Sequence, residues 1–268
     1  MDTYKCNYHM HSYYSDGAYS PGQLVRKFVD EEYDILALTD HDGIEGVKEF
    51  LAACEAAKVR GVSGVEFSTS HILDGVDYEI HLLGYHFDPD NEEFLEVCRD
   101  LKQRRHDRNV RLIEKLNEMG YELSLEELES QSKGKYVGKP NIARLMASKG
   151  YISKPKEAFS KTILESPEVK SIRKKKLTTE EAIGLINRAE GQAFVAHPAK
   201  IKELPERGTD EFWTAFEKLL KDLRQKGLKG LECIYPVHTP EEEFRFIQLA
   251  GKYHLHISSG TDFHGEDL

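Results

Sequence analysis

The chain has 268 residues, with 37 basic and 47 acidic side chains and a formal net charge of −10. Such a balance excludes a bulk electrostatic hold on long duplex nucleic acid, so an anionic partner has to be gripped locally. Four scattered cysteines, Cys6, Cys54, Cys98 and Cys233, make no C-x-x-C pair and no disulfide framework. No stretch reaches the ~18 apolar residues of a membrane span, and MDTYKCNYHM is not followed by an apolar segment. A cytoplasmic protein that does not engage a membrane is expected.

In chain order, short apolar runs read as strands at 4–9, 35–39, 62–67 and 78–85, then at 193–196, 228–234 and 255–259. Helical patterns follow most of them. Three helix starts carry a capping box: Ser20 with Pro21 and Gln23, Thr178 with Glu181, and Thr239 with Glu242. Strand alternating with helix predicts an α/β fold with a parallel sheet, and seven strands suit a barrel. The middle of the chain differs. Residues 99–176 hold 20 Lys and Arg against 11 Asp and Glu, whereas the remainder holds 17 against 36. This stretch lacks β-branched or alternating runs, and its spacing predicts helices at 94–119, 125–130, 141–149 and 156–164. The expected organisation is a barrel from 1–90 and 177–268, interrupted by a basic helical insertion at 91–176.

Chemistry-bearing residues collect where the strands stop. His9 and His11 are two apart, so in a strand both project from one face and can grip one ion. Asp262 and His264 repeat that spacing at the last strand. Between them come Asp40 and His41 closing ILALTDH, Glu66 closing GVEF, His81 in YEIHLLGY and His197 closing AFVAHP. In a parallel barrel the C-terminal strand ends share one mouth, which predicts a polynuclear metal centre. Imidazole and carboxylate donors without thiolate suit Mn²⁺, Zn²⁺ or Fe²⁺. Single members also fit blander roles. His81 suits a hydrogen-bonded, half-buried position, Glu66 a surface charge, and Asp40 a cap or an acceptor that orients its neighbours. Ions held close together lower the pKa of a shared water, so a metal-bridging hydroxide is the expected nucleophile, with Asp16 or His264 as candidate proton relays. No G-x-S-x-G elbow and no GxxxxGK[ST] phosphate loop competes with this reading.

HMHSYYSDG, LTDHDG, GVEFS, HLLGY, AHP and SGTDFHG, in this order, resemble the motifs of PHP-domain (polymerase and histidinol phosphatase) phosphoesterases. The nearest likeness is to the subgroup that includes bacterial nucleotide phosphatases and 5′-to-3′ RNA exonucleases with a helical insertion. The resemblance implies a distorted seven-stranded (β/α) TIM-like barrel holding two or three divalent ions. It implies one ion on His9, His11, Glu66 and Asp262, with Glu66 bridging to a second on His81 and His197. A third would take Asp16, His41 and His264. The chain stops four residues after His264, short of the glycine-containing tail of similar proteins, so the final crossover is expected to be truncated or replaced.

Selectivity is expected from the insertion, as a partial lid. Arg105 and Arg108 share a helix face and can clamp a second phosphate or the far side of the first, and the family has a similar arginine pair; the same residues also suit a solvated face paired with Asp107 and Glu114. Lys139 and Asn141 stand where relatives show arginine and histidine in G-R-P-H, which bears on the substrate. The run 173–176 suits an oligonucleotide backbone or a solvated loop. His238 resembles a family histidine near phosphate, and Glu232 is a candidate for orienting a neighbour. Three functions follow. The first is a metal-dependent hydrolase of a nucleotide or short oligonucleotide phosphoester, as monoesterase or exonuclease. The others are a phosphatase of a small non-nucleotide phosphometabolite and a non-catalytic phosphate-ligand sensor.

Overall fold

The computed structural model describes residues 4–130 and 136–265. The chain begins with β1 (Cys6–Asn7), α1 (Pro21–Asp30), β2 (Ile35–Leu38) and α2 (Val47–Ala57), followed by the long pair β3 (Arg60–Leu73) and β4 (Val76–Tyr85). Helices α3 (Glu92–Glu118), α4 (Leu125–Ser130), α5 (Lys139–Ser148) and α6 (Pro167–Lys170) come next, with a 3₁₀ turn at Pro155–Phe159. The last part runs β5 (Leu177–Thr178), α7 (Thr179–Arg188), β6 (Gln192–Val195), α8 (Asp210–Gln225), β7 (Gly230–Ile234), α9 (Pro240–Lys252) and β8 (His256–Ser259). The three capping boxes open α1, α7 and α9, each with the cap oxygen accepting from the third helical N–H. The expected helix at 156–164 is the short 3₁₀ turn instead. Pro155 opens it and Ser160 returns to extended backbone.

Eight strands form one mixed sheet along the path β1-β2-β3-β4-β6-β7-β8, with β5 paired to β3. This corrects the expectation of seven parallel strands. The two-residue β5 is too short to leave a periodic signal. The reversal at β4 was written in the sequence as Asp74-Gly75, which turns a hairpin between two alternating runs with φ of 51° and 81°. Consequently β4 runs antiparallel to both β3 and β6, while β1–β2, β2–β3, β6–β7 and β7–β8 are parallel. The outer ends of the path touch: the Tyr8 N–H donates to the Ser259 carbonyl at 2.9 Å, and the His11 N–H to the Phe263 carbonyl at 2.9 Å.

Apolar burial is divided. The largest cluster packs Phe67, Ile80 and Leu82 of the sheet against Ile183, Ile186, Phe212, Phe216 and Phe246 of the crossover helices. A second joins Met10, Leu36 and Leu38 to Leu24, Phe28 and Phe50. A third draws every member from residues 112–169, among them Leu116, Leu128, Ile142, Met146 and Val169. Each such side chain contributes roughly 1.5–3 kcal/mol on burial. Helix α3 connects the two worlds, since its Phe94 and Leu101 lie in the largest cluster and its Leu112 and Leu116 in the last.

Candidate metal centre

Strand β1 delivers His9 and His11 to the interior just beyond its last ladder bond, both fully buried. Gly260 lets the last strand pass behind them, because a Cβ there would stand 2.3 Å from the His9 Cβ. The following turn folds tightly through Ser12 to Gly17. A side chain at Gly17 would meet the His11 carbonyl oxygen at 2.0 Å, so the SDG motif needs its glycine. The buried Asp40 carboxylate pins that turn, accepting from the Ser12 N–H (2.7 Å), the Ser12 hydroxyl (2.7 Å) and the Ser15 hydroxyl (2.6 Å). Burial pushes the Asp40 carboxyl up, against the pull of these bonds. Asp40 thus orients the loop that carries Asp16.

Glu66 lies at the centre. It sits inside β3, and His81 sits inside the antiparallel β4, which corrects the picture of donors placed at parallel strand ends. One fully buried carboxylate faces five imidazoles: His9 and His11 at 3.2 Å, His41 and His197 at 3.0 Å, and His81 at 2.8 Å. Asp262 Oδ1 stands 3.3 Å from His9 Nε2 and 3.2 Å from His11 Nε2. Asp16 faces His264 at 3.2 Å, His41 at 3.6 Å and His11 at 3.9 Å.

Three donor groups emerge whose ligand atoms lie within 4.8 Å of one another: His9, His11, Glu66 and Asp262; His11, Asp16, His41 and His264; and His41, Glu66 and His81. All nine sequence candidates meet in this region. His197 touches Glu66 without completing a three-residue group, whereas His41 belongs to two.

Several donor atoms fit a cation better than each other. His9 Nε2, His11 Nε2, His41 Nδ1, Asp16 Oδ1 and Glu66 Oε2 are buried and make no hydrogen bond despite these short approaches. Two ligands each ~2.1 Å from one ion stand roughly 3 Å apart, which is the spacing seen here. Behind them, His9 Nδ1 lies 3.0 Å from Glu232 Oε1. A carboxylate only accepts, so Nδ1 carries the proton and the Nε2 lone pair is turned toward the group. The other Glu232 oxygen accepts from the His197 N–H at 2.7 Å, holding His197 at a φ of 25°. Glu232, faint in the sequence, therefore orients two imidazoles.

The charges are strongly coupled. Burial opposes an imidazolium at His11, but Asp262 and Glu66 outweigh it and lift its pKa to about 10; at His81 burial yields to Glu66 and Glu79, giving about 9. Against the upward pull of burial, the surrounding imidazoles hold Glu66, Asp16 and Asp262 well below the usual carboxylate range. His197 goes the other way, pushed down by burial. A site that attracts this many protons is suited to divalent cations in their place.

The rim adds residues that periodicity and spacing did not single out. Asp262 Oδ2 accepts from Lys200 at 2.9 Å and from the Tyr235 hydroxyl at 3.0 Å. Burial, seconded by Asp262, pushes the Tyr235 phenol up to about 12. Lys200 lines a cavity of about 280 Å³ with His81, His197 and Glu66. A second cavity of about 360 Å³, on the other side of His41, is lined by Tyr14, Asp42, Arg105 and Tyr136.

The expected substrate residues scatter. Arg105 is buried, 2.7 Å from Asp42, with its guanidinium 4.2 Å from the Tyr136 ring centre. Arg108 is partly buried beside it, with Nε making no hydrogen bond. Lys139 donates to the Leu164 carbonyl at 3.3 Å and faces Glu165 at 3.5 Å. His238 Nδ1 bonds the Cys233 carbonyl at 2.9 Å and packs on Phe246 and Tyr235, behind the rim. Asn141 accepts from the Gly138 N–H at 3.0 Å, a local helix-start bond.

The family model for the PHP domain matches residues 7–234. The chain belongs to the PHP-domain family. Among PHP relatives, a 5′-3′ exoribonuclease of Haemophilus influenzae is 28% identical over 262 residues, covering 98% of this chain and 90% of the relative. A 3′,5′-nucleoside bisphosphate phosphatase of Chromobacterium violaceum is 26% identical, covering 96% and 86%. A solved amidohydrolase structure from Chromobacterium violaceum, with bound sulfate and no metal, is 25% identical and superposes with a TM-score of 0.82 over 98% of this chain and 88% of that one. No helix among the described residues is long and apolar enough to cross a membrane.

Proposed function

We propose that this PHP-domain chain hydrolyses phosphoesters of nucleotides or short oligonucleotides at a centre of two or three divalent ions, Mn²⁺, Zn²⁺ or Fe²⁺. The observation that carries the reading is Glu66, a buried carboxylate facing five imidazoles, with Glu66 Oε2, His9 Nε2, His11 Nε2 and His41 Nδ1 buried and making no hydrogen bond. His9, His11, Glu66 and Asp262 would hold one ion, Asp16, His41 and His264 another, and Glu66 with His81 and either His41 or His197 a third. When bound, such ions activate the attacking water and offset charge on the phosphoryl oxygens. The chain supplies the rest. Lys200 sets a cation at the rim where phosphate negative charge enters, and it holds Asp262 together with Tyr235. Asp40 fixes the loop of Asp16, and Glu232 fixes the tautomer of His9.

We read the sheet as a barrel closed between β1 and β8, on the support of the Tyr8–Ser259 and His11–Phe263 bonds, with 91–176 as an insertion beside its mouth whose 112–169 part has its own core. Tyr14 and Tyr136 line the larger cavity next to His41, which favours a planar base over a sugar as the group beyond the phosphate. The test is phosphate or nucleotide release from nucleoside monophosphates, 3′,5′-bisphosphates, short RNA and sugar phosphates with added Mn²⁺. Turnover confined to sugar phosphates would replace the nucleotide reading with the small-metabolite one. No turnover of any of them would leave the chain a phosphate-ligand sensor.

A further inference from the structure

Directly after His41 the chain enters a left-handed turn at Asp42, with φ of 53°. Asp42 is 2% exposed, and three parts of the molecule converge on it. Its N–H donates to the Glu66 carbonyl at 2.9 Å, and its Oδ1 accepts from the Ser68 N–H at 3.1 Å, tying the turn to β3. Its Oδ2 takes two cations from the insertion segment, Arg105 of α3 at 2.7 Å and Lys174 from the run before β5. The same Arg105 nitrogen donates to the His41 carbonyl at 3.2 Å.

The basic run at 173–176 is thus no loose loop. Arg111 bonds the Arg173 carbonyl at 3.2 Å and Arg104 the Lys175 carbonyl at 3.3 Å, so α3 holds its backbone while Lys174 points inward. Lys176 pairs with the exposed Glu79 of β4 at 2.7 Å. His41 and Glu66, the residues that flank Asp42 through the backbone, are donors shared between groups of the candidate metal centre. A shift of a few tenths of an ångström at Asp42 therefore reaches more than one donor group at once. Buried carboxylates lose far more than a surface pair when one partner is removed, because the remaining charges are left uncompensated.

We propose that Asp42, Arg105 and Lys174 form a positioning unit through which the insertion sets the placement of His41, so that ion uptake depends on three charged side chains that touch no ion. It rests on the metal-centre reading above. The unit acts on the donors; it is not part of the reacting machinery.

The experiment is a Co²⁺ titration of the full chain followed by visible absorption, for the wild type and for Lys174→Met, Lys174→Arg and Asp42→Asn. Lys174→Met is expected to weaken at least one Co²⁺-binding step by ~10- to 100-fold, the range for residues that orient metal ligands, with Lys174→Arg restoring it to within a few-fold. Asp42→Asn keeps the shape of the turn and is expected to weaken the same step. In parallel, kcat for 4-nitrophenyl phosphate falls in Lys174→Met while KM changes little, because that small ester does not reach the insertion. Unchanged Co²⁺ isotherms in both Lys174→Met and Asp42→Asn overturn the unit, as does a defect seen only as raised KM for nucleotides. A wild-type chain that takes up no Co²⁺ overturns the metal reading itself, and the unit with it.

Discussion

Two clusters of charge lie back to back, and consecutive residues face into each. His41 looks into the mouth formed by the donor groups, where Glu66, Asp16 and Asp262 crowd among imidazoles. Asp42 looks into the seam with α3 and the run at 173–176, where Arg105 and Lys174 meet a single carboxylate. With its imidazoles neutral, as ion ligands must be, the mouth carries an excess of negative charge that divalent cations can balance. The seam carries an excess of positive charge held in place by burial and by the rigidity of α3. A protein can store such opposite imbalances side by side only if backbone and packing hold them apart, since each alone is costly to bury.

The sharpest way to break this contrast is at its centre. Glu66→Gln keeps the volume but removes the charge that five histidines share, and ion content should fall together with turnover, by ~10³-fold or more in kcat/KM, each factor of ten being about 1.4 kcal/mol. Elemental analysis beside a release assay checks it. Retained ions and activity would mean the mouth is held together by something other than this carboxylate.

At the rim, Lys200→Met leaves every imidazole in place, and a drop in kcat of roughly 10- to 100-fold is expected, with Lys200→Arg recovering part of it. Steady-state kinetics decide this, and an effect confined to KM would make Lys200 a binding group alone.

Among the helices between β4 and β5, Met146→Ala should cost ~2–5 kcal/mol by opening a cavity in the 112–169 core. Ion uptake by the folded variant should be kept, because Arg105 and Lys174 lie outside that core. Denaturant melts with metal analysis separate the two effects.

The mildest probe is pH. In chelator-treated protein, the raised pKa values of His11 (about 10) and His81 (about 9) mean that their attraction to the carboxylates is fully present below the ordinary histidine value. It is lost as pH rises through about 9 to 10. The melting temperature of the chelated chain should therefore decline across that alkaline window, and that of the ion-loaded chain should not.

Much of the mouth was legible because its donors sit at fixed offsets from apolar runs. His9-Met10-His11 and Asp262-Phe263-His264 announce shared faces, and the capping boxes marked α1, α7 and α9. The reversal at β4 was harder to see, since apolar runs do not state direction and Asp74-Gly75 was the sole local clue. The seam left almost no trace. Asp42, Arg105 and Lys174 are separated by 63 and 69 positions, and nothing in the composition of RRHDRN or IRKKK says which cation turns inward. Lys200 and Tyr235 were hidden for the same reason, as their partner Asp262 comes from the far end of the chain.

The backward course of β4 has one more effect. It delivers the polypeptide to the floor of the sheet at Tyr85, beside the start of β6, on the side away from the histidines. A climb is then unavoidable. Helix α3, with 27 residues, measures ~40 Å at 1.5 Å per residue. Anchored low by Phe94, it gains the height at which Arg105 meets the His41 carbonyl about three turns later. Removing three or four residues between those two points would rotate and lower everything above, leaving the upper helices stranded alongside the scaffold and the arginine one storey short of its carbonyl.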